Sequence, residues 1–216
     1  MTPELKNKLK LTFLLLITAL PVTLATLSFN SAIESGDISA TSNKGTLIIP
    51  PADISALALR DSNNNPVFQS FEEVIASLPD TEEYEIQPWL LVYVNGGECT
   101  EDCKERIHYL QQLHIALGKN IQRVRRYYVN ASGVPLSEEV AELFRNDYPS
   151  MGVAQSDKQI MSANLAEAGA MIDLSTQRYV ILVDPVGNVM MYYTEDQEPE
   201  DIMSDLETLL KYSSLG

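Results

Sequence analysis

The chain of 216 residues is 45% hydrophobic and carries a formal net charge of −15 at pH 7. The part beyond residue 29 contains 12 of the 15 Lys and Arg residues and 29 of the 30 Asp and Glu residues, a net charge of −17. Because such a domain repels polyanions, the composition argues against binding to nucleic acids or anionic lipid surfaces. Basic protein surfaces and cations remain compatible with it.

The N-terminal segment is predicted to anchor the chain in a membrane. Lys6, Lys8 and Lys10 precede residues 11–29, a run of nineteen without a charged side chain. As a helix this run spans about 28 Å, close to the roughly 30 Å of a bilayer's hydrocarbon core. Because lysines favour the cytoplasmic side, we expect residues 1–10 in the cytoplasm and the rest of the chain outside. The alternative, a cleaved signal peptide, would export the same domain.

A flexible linker and one domain are predicted after the anchor. Residues 30–44 are rich in Ser, Ala, Asn, Gly and Asp, which is typical of a linker. Residues 45–216 number about 170, enough for a single domain with a sizeable core. Pro50-Pro51 are expected to end its first strand, and Val67-Phe68 to begin a short return strand.

Apolar periodicity predicts the other elements of this domain. Strands are predicted at 46–50, 89–94, 124–129, 179–183 and 189–193, and helices at 71–78, 103–117, 137–144 and 199–212. The core of this order is β-α-β-α, then a hairpin, then a last helix. With a cysteine pair at the helix that follows a buried strand, it is typical of a thioredoxin-like α/β domain, whose helices cover a central mixed sheet.

The only two cysteines, Cys99 and Cys103, are the strongest candidates for chemistry. They follow the apolar run 89–94 and a Gly-Gly turn, so Cys99 is expected at a helix start and Cys103 one turn further along. Side chains four residues apart on a helix share a face, so the pair can close a disulfide or bind one soft metal ion. Unpaired N–H groups at a helix start also favour the thiolate form.

A purely structural bridge is the alternative for this pair. A disulfide across so short a loop restrains little chain entropy, so redox or metal chemistry is the favoured interpretation. Glu98, Glu101 and Asp102 surround Cys99. Negative charge raises the pKa of a thiol, which works against a strong oxidant and favours an approaching cation.

The chain resembles the SCO/SenC family of cytochrome oxidase assembly proteins, which join a membrane anchor and a linker to an exported thioredoxin-like domain with a C-x-x-x-C pair. The matching features are the Cys99-x-x-x-Cys103 spacing, the anchor, and the hairpin at 180–187 before an acidic terminal helix. Lys104 stands where the family has a proline. The family's third copper ligand, a histidine, falls near Thr176, and neither a histidine nor a thioredoxin's cis-proline occurs there.

The resemblance therefore implies a divergent, histidine-less protein of the bacterial inner membrane with its domain in the periplasm. It implies assistance in assembling a respiratory haem–copper oxidase, cytochrome c oxidase above all. Cys99 and Cys103 would act on an oxidase subunit or another assembly factor, as a thiol–disulfide oxidoreductase or as a metallochaperone for Cu(I). Two thiolates can hold Cu(I), whereas Cu(II) requires nitrogen or further ligands. The alternative is a non-catalytic scaffold subunit that docks through its acidic surface.

Histidine and methionine are weaker candidates for metal ligands. His108 and His114 are the only histidines, and they are expected on the helix surface or half-buried, away from the face of the cysteine pair. Methionines at 151, 161, 171, 190 and 191 are expected to fill gaps in the core or lie at the surface rather than bind Cu(I).

Overall fold

The computed structural model describes residues 3–34, 43–79, 86–175 and 177–213, and it divides the chain into two units, residues 1–43 and residues 44–216. Within the described ranges, the helices are α1 (Pro3–Glu34), α2 (Phe71–Ser77), α3 (Glu101–Ala116), α4 (Glu138–Asn146), α5 (Lys158–Glu167) and α6 (Pro199–Tyr212). The strands are β1 (Thr46–Asp53), β2 (Trp89–Asn95), β3 (Val124–Asn130), β4 (Met151–Gln155), β5 (Tyr179–Val183) and β6 (Asn188–Tyr193).

The first unit contains α1, which covers the predicted anchor. The side chains of residues 12–28 are exposed, and Pro21 lies inside the helix. The hydroxyl groups of Thr12 and Thr26 donate to backbone carbonyl groups one turn back, so the hydrogen-bond donors of these side chains find acceptors within the helix. In the part of the chain that the structure describes, no helix is both long enough and apolar enough to cross a membrane. Most of the predicted linker, at residues 35–42, lies outside the described residues.

The second unit is built on a mixed sheet with the strand order β1-β6-β5-β2-β3-β4. Strands β2, β3 and β4 run parallel to one another, while β5 runs antiparallel to β2, and β6 and β1 continue the antiparallel half. All seven residues of β2 are buried. Its continuous apolar sequence follows from this central position, because a strand covered on both faces needs no polar alternation.

Helices cover both faces of the sheet. Helices α3, α4 and α6 enclose one hydrophobic cluster, and α5 encloses the other together with a 3₁₀ turn at Ile54–Leu57. Alternate residues of β2 divide between the clusters, with Leu91 and Tyr93 on the α3 side and Leu90 and Val92 on the α5 side. This arrangement confirms the predicted mixed sheet flanked by helices.

Two elements, β4 and α5, were not predicted from the sequence. β4 is a five-residue strand at the sheet edge with only Met151 and Ala154 buried, so its apolar pattern is weak. Gly152 interrupts the apolar pattern of this strand. Glycine is required at this position because a Cβ there would lie 2.4 Å from a ring carbon of Tyr127. Only Met161 and Leu165 are buried in α5, and two residues are too few to show a clear apolar stripe in the sequence.

Some predicted bounds and one predicted strand were wrong. β1 continues to Asp53 instead of ending at Pro50-Pro51, because an edge strand tolerates residues that cannot donate to the ladder. Its pairing with β6 shifts register between Leu47 and Ala52 to accommodate them. Val67-Phe68 forms no strand; the pairing nearby consists of two isolated bridges, which join Arg60 to Pro66 and to Gln155. α3 begins at Glu101, two residues before the predicted start at Cys103.

Candidate functional site

Cys99 and Cys103 form a disulfide at the carboxyl end of β2, with their Cα atoms 5.1 Å apart. Cys99 lies in the loop that leaves the strand, and Cys103 is the third residue of α3. The position predicted for the pair, across the start of the helix, is therefore confirmed. Its chemical role stays a prediction.

The two sulfur-bearing side chains differ in exposure. Cys103 is 0% exposed and belongs to the hydrophobic cluster beneath α3, where Ile107 is its neighbour one turn along. Cys99 is partly exposed and packs against that cluster. A reactant that approaches from solvent therefore meets Cys99 first.

A groove of about 270 Å³ opens beside Cys99. Gly97, Glu98 and Cys99 form one wall, and the connection between β3 and α4 forms the other. That second wall is lined by Asn130, Ser132, Val134, Pro135, Leu136, Ser137 and Val140. The Asn130 amide donates to the Val134 carbonyl at 2.7 Å and accepts from the Ser132 hydroxyl at 2.7 Å, so the wall is fixed by its own hydrogen bonds.

A buried asparagine that the sequence analysis did not select contacts the inner sulfur. Asn95, the last residue of β2, is 0% exposed and donates through Nδ2 to Cys103 Sγ at 3.5 Å and to the Tyr128 hydroxyl at 3.2 Å. Its Oδ1 accepts from the Gly97 N–H at 3.1 Å. The available signal was a lone polar residue ending a buried strand, directly before the Gly-Gly turn.

Two tyrosines belong to the same hydrophobic cluster as Cys103. The rings of Tyr93 and Tyr128 meet edge to face at 5.9 Å, and both side chains are fully buried. Burial raises the pKa of each phenol above its ordinary value, so both stay neutral near pH 7. Among the described residues, the Tyr93 hydroxyl has no hydrogen-bond partner. The cluster that contains Cys103 therefore holds these phenols in neutral form, and Asn95 donates to the sulfur.

Lys104, which directly follows Cys103, joins two helices at the site. Its Nζ contacts Glu101 of α3 at 2.9 Å and also Glu139 of α4. Hydrogen bonds to these carboxylates raise the pKa of Lys104, and its ammonium group lowers the pKa of Glu139. Glu101 is paired with the ammonium group of Lys104. The predicted negative charge near Cys99 therefore comes mainly from Glu98 and Asp102, which are both exposed.

Neither histidine belongs to the cysteine site. His108 is exposed, with Nδ1 3.4 Å from the Tyr148 hydroxyl, and Nε2 of His114 lies 2.8 Å from the carbonyl oxygen of Val124. Both therefore lie on the helix as predicted. Met161 and Met191 are buried and Met171 is 89% exposed. In the described ranges, no group of three or more His, Cys, Asp or Glu side chains is arranged to hold a metal ion.

The segment before β5 lies against the disulfide loop. A Cβ placed on Gly96 would come within 1.9 Å of the Leu174 carbonyl oxygen, so only glycine allows the two backbones to approach this closely. Thr176, near which the resemblance to SCO/SenC proteins would place a histidine ligand, is outside the described residues.

A central strand that leads into a cysteine pair at a helix start, followed by an antiparallel hairpin and a terminal helix, defines a thioredoxin-like domain. The chain belongs to the family described as transmembrane-like, thioredoxin-like, C-terminal domain, whose model matches residues 89–213, more than half of the chain.

Comparison with solved structures finds similar proteins. The solution structure of apo Sco1 from Thermus thermophilus matches with a TM-score of 0.51 at 15% identity, over 79% of this chain and 99% of that one. Copper-bound ScoI from Arabidopsis thaliana gives 0.49 at 10% identity, over 76% and 98%. A thiol:disulfide interchange protein from Bacteroides sp. gives 0.45 at 15% identity, over 79% and 91%. A comparison with curated protein sequences finds no match. At 15% identity, the similarity to the Thermus protein shows the common fold.

Proposed function

We propose that this protein is a thiol–disulfide exchange factor whose working groups are Cys99 and Cys103. One observation carries the proposal: the pair spans a helix start with one sulfur at a groove and the other fully buried. Exchange proceeds by thiolate attack through a mixed disulfide, and access selects which thiol attacks. Cys99 is therefore the attacking residue and Cys103 the resolving one.

The reaction transfers two electrons from the reduced pair to a partner disulfide. The Cys99 thiolate attacks one partner sulfur, so a Cys99–partner disulfide forms and the other partner sulfur leaves as a thiolate. Cys103 then loses its proton and attacks Cys99 Sγ, which closes the Cys99–Cys103 disulfide and releases the second partner thiolate. The groove beside Cys99 suits an extended segment around the partner's cysteine, with Val134, 58% exposed, as an apolar contact.

Trapping of the mixed disulfide tests this assignment. The Cys103→Ser variant lacks the resolving thiol, so it should accumulate a covalent complex with its partner on a non-reducing gel. The Cys99→Ser variant is the matched control and should accumulate little. Equal trapping by both variants would refute the order of the two cysteines, and trapping by neither would argue against disulfide exchange.

We further propose that this chemistry serves assembly of a respiratory oxidase, cytochrome c oxidase above all, at the outer face of a bacterial inner membrane. Support comes from the sequence resemblance and from the fold shared with Sco1 of Thermus thermophilus. The uncharged run at residues 11–29 supports a retained anchor. The mature protein should then keep these residues and fractionate with membranes. A mature N-terminus near residue 30 would make it a secreted protein instead.

Cu(I) is a second candidate cargo for the reduced pair. Two sulfurs one helical turn apart can hold Cu(I), and exposed Glu98 and Asp102 attract a cation. We expect the reduced protein to bind about one Cu(I) per chain and the Cys99→Ser variant to lose it. A tight Cu(II) complex with a sulfur-to-copper absorption band would contradict this donor set.

A non-catalytic scaffold remains the alternative of a different class. It is favoured by a cavity of about 520 Å³ beside α3, in which five acidic side chains outnumber Arg106 and Arg178. The acidic residues are Asp102, Glu105, Glu195, Glu198 and Glu200. Such a cavity suits a basic segment of a partner. The Cys99→Ser, Cys103→Ser double variant separates the two functions in cells. Full oxidase activity would favour the scaffold, whereas loss of activity with normal protein levels would favour the cysteine chemistry.

A further inference from the structure

We propose that Asn95 is a positioning residue that stabilises the negative charge arising on Cys103 Sγ when the Cys99–Cys103 disulfide is opened. The inference rests on the proposed exchange function and concerns the sulfur that leaves, not the sulfur that is attacked.

The difference in exposure decides where the charge arises. Cys103 is 0% exposed and Cys99 lines the groove, so a reductant's thiolate attacks Cys99 Sγ. A bond forms between the reductant's sulfur and Cys99, the Cys99–Cys103 bond breaks, and its electron pair passes to Cys103 Sγ. In a dithiol reductant the second thiol then displaces Cys99 and closes the reductant's own disulfide. The two protons released by the reductant end on the two cysteines.

Charge at Cys103 would be unfavourable without a donor. The side chain lies in the hydrophobic cluster with Ile107 and Leu110, and charge developing in apolar surroundings is costly unless it accepts hydrogen bonds. Asn95 Nδ2, at 3.5 Å, is the side-chain donor that contacts this sulfur. A lower-energy leaving thiolate departs faster, so this donor should accelerate opening of the disulfide.

The amide is held in place before any charge develops. Its Oδ1 accepts from the Gly97 N–H, which directs Nδ2 toward the sulfur, and the second Nδ2 hydrogen is donated to Tyr128. The Asn95 backbone is fixed as well, because its carbonyl accepts from Ala131 N–H at 2.8 Å. A donor oriented in advance toward developing charge is the arrangement that accelerates acyl transfer in oxyanion holes.

The expected effect is smaller than that of an oxyanion-hole donor. Removing one such donor slows acyl transfer by about 10²–10³-fold. Sulfur carries a more diffuse charge, the contact is long, and charge is only partly developed in the transition state. We therefore expect loss of the Asn95 donor to slow disulfide opening about tenfold.

Reduction of the full-length oxidised protein by dithiothreitol at fixed pH tests the proposal without any partner. Asn95→Leu removes the donor and should react about tenfold more slowly. Asn95→Asp keeps an acceptor for Gly97 but brings a carboxylate to the sulfur, so it should react more slowly still. Asn164→Leu is the control for losing an amide elsewhere, since Asn164 donates to the Ala56 carbonyl in the opposite layer. It should react at the rate of the unaltered protein.

Two results would overturn the inference. If Asn95→Asp reacts at the unaltered rate, the amide serves only to hold the Gly97 turn, because that variant retains the acceptor. If Asn95→Leu is folded by circular dichroism and also reacts normally, no donor effect exists. Since dithiothreitol replaces the partner, failure to find a trapped partner would refute the exchange function while leaving this kinetic result standing.

Discussion

Reduction of the Cys99–Cys103 disulfide is expected to destabilise the domain by about 2 kcal/mol and to leave it folded. The two cysteines are four residues apart, and closing so small a loop removes chain entropy from the unfolded state worth about 2 kcal/mol. α3 has other attachments: Ile107 and Leu110 are fully buried, and Arg106 donates to the carbonyl of Glu195 at 2.9 Å. For a domain of this size, the loss corresponds to a fall in Tm of about 4–8 °C.

Urea unfolding measures this loss directly. The single tryptophan, Trp89, lies in β2 at the centre of the sheet and reports on unfolding by its fluorescence. Oxidised protein, protein reduced with dithiothreitol, and the Cys99→Ser, Cys103→Ser double variant should be compared. The reduced protein and the double variant should unfold at similar urea concentrations. If reduction unfolds the domain or costs more than about 5 kcal/mol, the bridge is structural and the exchange function loses its basis.

Two further predictions concern buried polar groups away from the cysteines. Asp205 is 4% exposed and accepts from the N–H groups of Lys44 and Gly45 and from the Tyr193 hydroxyl. Asp205→Ala leaves these donors without their acceptor and should cost about 2–3 kcal/mol in urea unfolding. A loss below about 1 kcal/mol would contradict this network. Burial lowers the pKa of His114 below its ordinary value, so near pH 6 the unfolded state binds more protons than the folded state. Stability should therefore decline as the pH falls below about 6.5, and the His114→Gln variant should lose that part of the pH dependence.

Strong local patterns made the centre of the fold predictable. β2 is a continuous apolar run ended by a Gly-Gly turn, and α3 repeats apolar residues at helical spacing, so both were found within two residues of their bounds. β4 and α5 were missed because only part of each short element is buried. An edge position weakens the hydrophobic signal on which such predictions depend.

The prolines in β1 illustrate the same limit. Pro50-Pro51 would end a central strand, and the sequence does not reveal that β1 is an edge strand paired with β6 alone. Whether β1 lies at the edge depends on which other strands pair with it, and its partner β6 lies more than 130 residues further along the chain.

The sequence by itself determined that two cysteines four residues apart lie at the start of a helix behind a buried strand, because spacing, turn and periodicity act within a few residues. Only the tertiary structure decided which sulfur can react and what stabilises the other. Cys103 is covered and Cys99 is left at a groove because distant segments pack around them, among them residues 130–140. Asn95 meets Tyr128 across neighbouring strands of the sheet. Burial and hydrogen bonding of this kind depend on which distant segments of the chain pack against the cysteines, and no local sequence pattern encodes that packing.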